Sequence, residues 1–237
     1  MTILVVVPAR GGSRGIPRKN LVELGGRSLL RWAVEAGLAS QRAHRVVVST
    51  DDAEIADEAR RSGAEVPFLR PAELAADDTT DLPVFQHALD WLDREEGYRP
   101  DLVVHLRPTS PARRPGLVDA AVAHLEAHPG ATSLRSVSPA PQTPWKMYDI
   151  REGYLHPLLG TLEEEAFNQP RQQLPDAWVH DGVIDVVRAD VIRAGSMSGP
   201  RMVAWRSEPF ESVDIDHPED LARAERALRS LSSPPPA

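Results

Sequence analysis

The sequence predicts an α/β domain whose central sheet is mostly parallel and doubly wound. Short apolar segments, typical of strands buried on both faces, alternate with segments whose apolar residues have helical spacing. Strand–helix alternation of this kind indicates parallel strands joined by helical crossovers. The 237 residues can bury a large core, and a chain without cysteine must do so without disulfides or zinc thiolates.

The predicted elements follow one another in a regular order. We predict strands at 3–7, 45–50, 65–69, 102–106, 182–188, 203–205 and 213–215. We predict helices at 29–38, 51–62, 82–96, 115–128 and 217–228. Asp51 stands three residues before Glu54, so this pair is expected to cap the second helix. Ligands of such sheets bind beyond the carboxyl ends of the strands, which makes the loops there candidate binding loops. These loops follow Val7, Thr50, Leu69 and Leu106.

Residues 138–180 depart from this alternation. Proline is frequent there, apolar periodicity is weak, and the aromatic residues are scattered along the segment. They are Trp145, Tyr148, Tyr154, Phe167 and Trp178. Exposed aromatics favour a dimerisation arm over the alternative, a long surface loop. We therefore predict one domain over residues 1–230 that includes this arm, followed by a disordered tail at 231–237.

Charge and hydropathy exclude several classes of function. A net charge of −8 argues against a general nucleic-acid surface, although a local basic pocket for a nucleotide remains compatible with it. The first residues lack the basic segment with which a signal peptide begins, and the apolar run at 3–7 is too short for one. We therefore expect no signal peptide. No apolar stretch has membrane-spanning length, so we expect a cytoplasmic protein without a membrane partner.

A glycine-rich, basic loop follows the first predicted strand directly. Its sequence at 8–20 is PARGGSRGIPRKN, with glycines that let backbone N–H groups converge on an anion. The loop also carries four cations, namely Arg10, Arg14, Arg18 and Lys19. It has neither the P-loop spacing nor the G-x-G-x-x-G pattern. A solvated basic loop is the alternative, but these features together after a buried strand favour a triphosphate site.

Two aspartates near the end of the chain form a candidate metal site. In a strand, Asp214 and Asp216 would point the same way while Ile215 packs inward. Paired carboxylates suit Mg²⁺ that keeps several waters and bridges phosphate oxygens. Asp216 could instead cap the following helix, with Glu219 completing a capping box. Asp214 is therefore the firmer of the two predicted ligands.

These motifs together resemble those of the acylneuraminate cytidylyltransferase family, the CMP-sialic acid synthetases and their relatives. The loop at 8–20 resembles the family's opening signature, and five further matches follow in the family's order. They are VVSTDD at 47–52, LRPAELA at 69–75, RPTSP at 107–111, QPRQQLP at 169–175 and DID at 214–216. The resemblance runs from residue 3 to about 228. It implies a Rossmann-like nucleotidyltransferase fold of the GT-A kind, CTP as substrate, Mg²⁺ as cofactor, and a homodimer.

The resemblance assigns the nucleotide contacts. It implies that the first loop holds the CTP triphosphate through Arg10, Gly11, Gly12, Ser13, Arg14 and Lys19. The catalytic residues expected from it are Lys19, Arg10 and Asp214, with Lys19 offsetting the charge that develops at the α-phosphate. Arg70 is carried over as a cytosine contact. The alternative for Arg70 is a surface arginine before the helix-starting Pro71.

The resemblance also indicates an acceptor site. Relatives hold the acceptor's carboxylate with an arm lysine and the arginine of QPRQ, which can reach across to the partner subunit. Lys146 and Arg171 match those positions, with Asn168, Gln172 and Gln173 as possible support. For Lys146, an ordinary surface lysine is an equal alternative.

Two positions depart from the family pattern on the acceptor side. Many sialic-acid enzymes have a glutamine before PTSP where this chain has Arg107. They also have a tyrosine on the strand after an Asn-Gly pair, where this chain has Asp181-Gly182 followed by Asp185. A buried carboxylate is costly unless paired, so Asp185 should meet Arg107, another basic group, or an acceptor hydroxyl or amine. We assign Arg107, Asp181 and Asp185 to acceptor binding; a simple buried ion pair is the alternative.

The expected reaction is attack of an acceptor oxygen on the α-phosphorus of CTP, with pyrophosphate leaving in line. The acceptor is either a nonulosonic acid such as a legionaminate-like sugar, or a phosphonate whose second charge could use Arg107. A metal-bound water, Asp214 or the substrate itself could take the proton. A nucleotide-binding module without turnover is the alternative of another class, and the presence of Lys19 and Asp214 favours the enzyme.

Overall fold

The computed structural model describes residues 1–159 and 166–232. The strands are β1 (Ile3–Pro8), β2 (Glu23–Leu24), β3 (Arg27–Ser28), β4 (Arg45–Ser49), β5 (Leu102–His105), β6 (Ser133–Pro139), β7 (Tyr148–Arg151), β8 (Tyr154–Pro157), β9 (Trp178–Arg188) and β10 (Met202–Arg206). The helices are α1 (Leu29–Leu38), α2 (Ala53–Arg61), α3 (Asp81–Glu96), α4 (Leu117–Glu126), α5 (Ala189–Arg193) and α6 (Pro218–Ser232). No helix within these ranges combines the length and hydropathy that crossing a bilayer requires.

A six-stranded sheet with the order β10-β6-β9-β5-β1-β4 forms the centre of the described chain. β1 pairs in parallel with β4 and β5, and β10 pairs in parallel with β6. β9 is antiparallel to both of its neighbours, β5 and β6. The sheet is therefore mostly parallel with one reversed strand, which confirms the predicted fold class.

Helices cover both faces of the sheet. Val5 and Val7 of β1 belong to a core that includes α1, α2 and α4, whereas Leu4 and Val6 belong to a second core with α3 and α5. Because successive side chains of a strand point to opposite faces, the continuous apolar run of β1 feeds both cores. This arrangement is the reason that the first strand is apolar throughout.

Some of the predicted elements were wrong. Residues 65–69 form only an isolated bridge between Glu65 and Val47, and residues 213–215 form no strand. Strand β6 was missed, since its sequence SLRSVSP is rich in serine and lacks an apolar run. Asp52 rather than Asp51 caps α2, accepting the N–H of Ile55 at 3.0 Å. Because the capping residue lies one position later than predicted, Asp51 is available to contact the first loop.

The predicted arm combines extensions of the sheet with a separate hairpin. Its two ends belong to β6 and β9, and its middle forms the antiparallel pair β7–β8. Large apolar side chains of the hairpin are exposed, with Tyr154 at 73% and Ile150 at 70%. Residues 160–165 of the arm lie outside the described residues. Helix α6 includes residues 231 and 232 of the predicted tail, and the remainder of that tail, 233–237, also lies outside them.

Candidate active site

A cleft of about 510 Å³ lies at the carboxyl ends of β1 and β5, where the fold class predicts a binding site. Pro8 and His105, the last residues of these strands, both line it. The first loop, Arg70, the start of α3, the loop after β5 and residues 216–217 complete its walls. Its size is typical of a site for a nucleotide-sized ligand.

The first loop is held by the two aspartates that follow β4. Gly11 donates its backbone N–H to Asp51 Oδ1 at 3.0 Å. Arg18 has a left-handed backbone with φ of 55° and donates to Asp52 and Glu54. The loop is further fixed by Asn20, whose Nδ2 donates to the backbone oxygen of Arg10 at 2.9 Å.

Because some groups of the loop are used to hold it in place, not every residue assigned to the nucleotide is available to bind it. Arg10, Gly12, Ser13, Arg14 and Lys19 all line the cleft, and Arg18 does not. The assignment of Gly11 as a nucleotide contact needs correction, because its N–H is already bonded to Asp51. A Cβ on Gly11 would come within 2.9 Å of Asp52 Oδ2. Gly11 therefore serves to let the loop pass close to the start of α2.

Each cation of the loop that lines the cleft contacts a carboxylate. Asp77 pairs with Arg10 Nη1 at 2.9 Å and with Arg14 Nε at 2.5 Å. The hydrogen bond from Arg14 and the charges of both arginines lower the pKa of the Asp77 carboxyl. Lys19 Nζ lies 3.0 Å from Asp216 Oδ1. Asp77 was not among the residues that the sequence assigned to the site.

The aspartate pair flanks a buried isoleucine, as predicted, although the segment is not a strand. Ile215 is completely buried, while Asp214 and Asp216 are exposed. The Ile215 N–H donates to the backbone oxygen of Thr109 at 2.9 Å, which fixes the segment to the loop after β5. Partial desolvation and then the charge of Asp216 raise the pKa of Asp214, although a hydrogen bond with Thr109 opposes them. The two carboxylates are therefore close enough to repel each other.

The Asp216 side chain does not cap helix α6. The carboxylate that accepts the backbone N–H groups of Asp216 and His217 belongs to Asp220, at 3.0 and 2.9 Å. The predicted capping box with Glu219 is wrong, and the Asp216 carboxylate contacts Lys19 instead.

The aspartate pair is suited to a Mg²⁺ ion that is bound together with a nucleotide. No group of three or more potential ligand side chains occurs within residues 1–159 and 166–232, so the chain has no complete protein cage there. Mg²⁺ in nucleotide sites commonly takes one or two carboxylates together with phosphate oxygens and waters. Two mutually repelling carboxylates beside a cationic loop meet that requirement.

Arg70 is buried, so the alternative of an ordinary surface arginine is wrong. Only 6% of the residue is exposed, and its Nη2 donates to the backbone oxygen of Ser49 at 2.6 Å. Its Nη1 donates to the backbone oxygen of Leu74 at 3.2 Å, and burial lowers its pKa. Arg70 thus joins the end of β4 to the 69–75 motif while it lines the cleft.

The acceptor-side residues meet at Asp185. Arg107 donates from Nη1 to Asp185 Oδ2 at 2.8 Å and from Nη2 to Asp81 Oδ2 at 3.2 Å. Arg135 donates from Nε to Asp185 Oδ1 at 3.2 Å, and His180 Nε2 lies 3.3 Å from the same oxygen. Burial works against the charged form of Asp185, but His180 and Arg107 outweigh it and lower its pKa. The sequence indicated the partner Arg107 but gave no signal for Arg135 or Asp81.

Four residues assigned to the acceptor do not line the cleft, namely Lys146, Arg171, Asp181 and Asp185. Asp181 accepts from the N–H of Val183 at 3.3 Å, in the part of β9 where the pairing with β6 shifts register. Arg171 donates to the backbone oxygens of Ala140 and Pro141 at 3.0 and 3.1 Å, within the arm. Neither Arg171 nor Lys146 lines the cleft of its own chain.

His105 lies at the end of β5 and is completely buried. Burial lowers its pKa to about 3, so the imidazole is neutral near pH 7. Its ring centroid lies 4.6 Å from that of Phe85. Neither ring nitrogen has a hydrogen-bond partner in the described part of the chain.

Comparison with known proteins gives matches over the whole fold. A family model described as Cytidylyltransferase matches residues 4–151. The CMP-N,N'-diacetyllegionaminic acid synthase of Legionella pneumophila subsp. pneumophila (strain Philadelphia 1) is 35% identical over 236 residues, covering 96% of this chain and 97% of that protein. The N-acylneuraminate cytidylyltransferase A of Danio rerio is 30% identical over 234 residues, covering 96% of this chain and 51% of that protein. Among solved structures, CMP:2-keto-3-deoxy-manno-octonic acid synthetase complexed with CTP aligns with a TM-score of 0.67 and 17% identity, covering 97% of this chain and 99% of that one.

Proposed function

The chain belongs to the cytidylyltransferase family, and from this premise we propose that it transfers CMP from CTP to a nonulosonic sugar acid with release of pyrophosphate. Membership makes the chain a nucleotidyltransferase enzyme rather than a binding module without turnover. The observation that carries the acceptor class is the 35% identity, over nearly the full length of both chains, to an enzyme named for a CMP-legionaminic acid. A second relative is named for N-acylneuraminate. Both names favour a sugar acid over a phosphonate.

In this proposal the first loop binds the triphosphate. Arg10, Arg14 and Lys19 neutralise its charge, and the loop's remaining N–H and hydroxyl groups at Gly12 and Ser13 donate to phosphate oxygens. Lys19 is the cation that stabilises the charge developing as pyrophosphate leaves. Its contact with Asp216 supports this role, since Lys19 already lies at the junction of the loop and the aspartate pair.

Asp214 and Asp216 are the proposed ligands of Mg²⁺. The bound ion would supply Lewis-acid polarisation of the α-phosphate and charge neutralisation of the triphosphate. Arg70 is proposed to contact the cytosine from the 69–75 motif, and its burial gives it a fixed position in the cleft wall. The protein's task is then positioning and electrostatic stabilisation, as is usual for phosphoryl-group transfer.

A homodimer formed through the arm is also part of the proposal. The hairpin β7–β8 exposes Ile150, Tyr154 and Leu155 at 63% or more, which is unusual for a surface without a partner. Lys146 and Arg171 do not line their own cleft, so they would contact the acceptor only from a second subunit.

The domain and its location are also part of the proposal. The proposed domain comprises residues 1–230. CTP as substrate favours a cytoplasmic location.

The test is a pyrophosphate-release assay with CTP, Mg²⁺ and a panel of acceptors. We expect release with a nonulosonic acid such as N,N'-diacetyllegionaminate and none without an acceptor. Release only with phosphonates would replace the sugar acid by the alternative acceptor. CTP binding without release for any acceptor would contradict the enzymatic assignment.

A further inference from the structure

The segment between β10 and α6 carries the aspartate pair, although it belongs to neither a strand nor a helix. Its inward-facing residues alternate with the two aspartates. Glu211, Val213 and Ile215 are 0%, 3% and 0% exposed, whereas Asp214 and Asp216 are exposed. The buried residues therefore set the direction in which both carboxylates point. Whatever holds these buried residues in place also places the proposed metal site.

The two apolar residues of the segment restrain it only partly. Val213 and Ile215 pack in a core cluster that includes residues of α6. Hydrophobic contacts are non-directional, so they hold the segment against the core without fixing its orientation. The hydrogen bond from the Ile215 N–H to the backbone oxygen of Thr109 adds direction at one point. A segment tied at one point can still rotate about that point.

Glu211 supplies a second, directional restraint. Its carboxylate accepts from Arg114 Nη1 at 2.6 Å, from the backbone N–H of Arg114 at 3.2 Å and from the backbone N–H of Glu208 at 2.9 Å. Hydrogen bonds depend on angle as well as distance, so three donors fix the orientation of this carboxylate. Arg114 follows the same loop after β5 that contains Thr109. The loop and the aspartate segment are therefore joined at two points.

The part of the loop that binds Glu211 is itself fixed to the central sheet. Arg113, the residue before Arg114, is only 7% exposed. It donates from Nε to the backbone oxygen of Val183 in β9 and from Nη2 to that of Arg107, both at 2.8 Å. Arg107 lines the cleft. The loop thus connects the sheet, the cleft wall and, through Glu211, the aspartate segment.

Burial makes the Glu211 carboxylate costly. The residue is completely buried, and burial raises its pKa although the N–H groups of Glu208 and Arg114 oppose this. Apolar residues of similar volume often replace a buried ion pair without loss of stability. Stability alone therefore does not explain a glutamate here. What an apolar residue would lack is the set of directional bonds to the loop.

We propose that Glu211, bound by Arg114, is a positioning residue that orients the aspartate pair for the metal ion. The inference rests on the proposed function and deepens it, because it concerns the carboxylates proposed to bind Mg²⁺. Glu211 does not line the cleft, so its effect passes through the segment and not through contact with the nucleotide.

The test measures the Kd of the full chain for CTP by calorimetry, once with excess Mg²⁺ and once with EDTA. For Glu211→Gln we expect the Kd with Mg²⁺ to rise by about 10- to 100-fold, the loss typical when a residue that orients a metal ligand is changed. The Kd in EDTA should keep its wild-type value, because the first loop is unaltered. Glu126→Gln is the matched control and should change neither Kd. Glu126 accepts from Arg42 Nη2 at 2.6 Å, and neither residue lines the cleft.

A double variant separates positioning from stability. Glu211→Met combined with Arg114→Met removes the ion pair without leaving a buried charge unpaired. We expect its free energy of unfolding, measured by denaturant titration, to stay near that of wild type. Its Kd for CTP with Mg²⁺ should nevertheless rise as in Glu211→Gln. A purely structural role would lower the stability and leave the affinity of the folded protein unchanged.

The outcomes that would overturn the proposal are distinct. One is a wild-type Kd with Mg²⁺ in folded Glu211→Gln, and another is an equal rise of the Kd with Mg²⁺ and with EDTA. A double variant that does not fold, or that folds and has the wild-type Kd with Mg²⁺, would assign the pair to stability alone. If wild type releases no pyrophosphate with any acceptor and gains no affinity for CTP from Mg²⁺, the proposed function fails as well. If wild type is active and the variants bind CTP as it does, only the inference fails.

Discussion

Lys19 Nζ contacts Asp216 Oδ1 at 3.0 Å, although 197 positions of sequence separate the two residues. This contact closes the cleft between the first loop of the chain and the segment before its last helix. It brings the glycine-rich loop next to the aspartate pair, as expected if both bind one metal-bound triphosphate.

Replacing Lys19 should slow the chemical step. For Lys19→Ala we expect kcat to fall by about 10²- to 10³-fold, because the cation that stabilises the leaving charge is lost. Pyrophosphate release at saturating substrates measures this. Arg18→Gln is the control from the same loop, since Arg18 pairs with Asp52 and Glu54 away from the cleft. Equal losses of kcat in Lys19→Ala and Arg18→Gln would contradict this role for Lys19 and would indicate a general effect on the loop.

Removing the carboxylate of Asp77 should strengthen nucleotide binding. Asp77 pairs with Arg10 and Arg14, the cations proposed for the triphosphate, so CTP must compete with it. For Asp77→Asn we expect the Kd for CTP to fall by about 3- to 10-fold, given that exposed ion pairs contribute up to about 1 kcal/mol each. Calorimetric titration with CTP measures the change. Asp93→Asn, the same change on a remote exposed pair, should leave the Kd unaltered.

Asp214→Asn should separate binding from turnover. We expect the variant to bind CTP without metal as wild type does, but to lose pyrophosphate release and the gain in affinity that Mg²⁺ gives. EDTA should abolish the activity of the wild type, and Mg²⁺ in excess should restore it. Wild-type activity of the variant at the same Mg²⁺ concentration would exclude Asp214 as a ligand.

Gly15 should tolerate no side chain. A Cβ at this position would overlap the backbone oxygen of Asp216, so Gly15→Ala must push apart the loop and the aspartate segment. We expect a loss of about 1 to 3 kcal/mol in the free energy of unfolding, typical of overpacking. Gly12→Ala is the control, because a Cβ there would meet nothing within 4 Å. Denaturant titration of both variants measures their free energies of unfolding. Equal free energies of unfolding for Gly15→Ala and Gly12→Ala would contradict the prediction.

Asp185 should make stability depend on acid pH. Its folded-state pKa is lowered, so its contribution is fully present above the unfolded pKa of about 4 and is lost as pH falls through the folded value. At pH 7 we expect Asp185→Asn to be less stable by about 3 to 5 kcal/mol, because it leaves two arginines around a neutral group. The difference from wild type should shrink below about pH 4. A difference that is constant from pH 7 to pH 3 would contradict the ion-pair account.

The sequence predicted those parts of the fold that have a local signal. The apolar run at 3–7 and the helical spacing at 29–38 each correspond to an observed element within a residue. Strand β6 had no such signal, because its residues alternate between a core face and a polar face that carries Arg135. The aspartate segment was expected as a strand, but it is fixed to the loop after β5 by the hydrogen bond from the Ile215 N–H to Thr109 and not by strand pairing.

The same distinction applies to the candidate site. Glycines and cations clustered in one loop are visible in sequence, and so is the alternation of Asp214 and Asp216 around Ile215. The partners Asp77 and Arg135 were missed, since they reach Arg14 and Asp185 only through contacts 63 and 50 positions apart. Such contacts depend on strand order and register, which no local pattern encodes.

The central claim is tested most directly by a crystal structure of the full chain with CTP and Mn²⁺ in place of Mg²⁺, with the metal located by anomalous scattering. We expect the metal peak to lie within bonding distance of Asp214 or Asp216 and of a phosphate oxygen, while Lys19 Nζ donates to the same triphosphate. A triphosphate bound away from the first loop, or a metal without contact to either aspartate, would contradict the account.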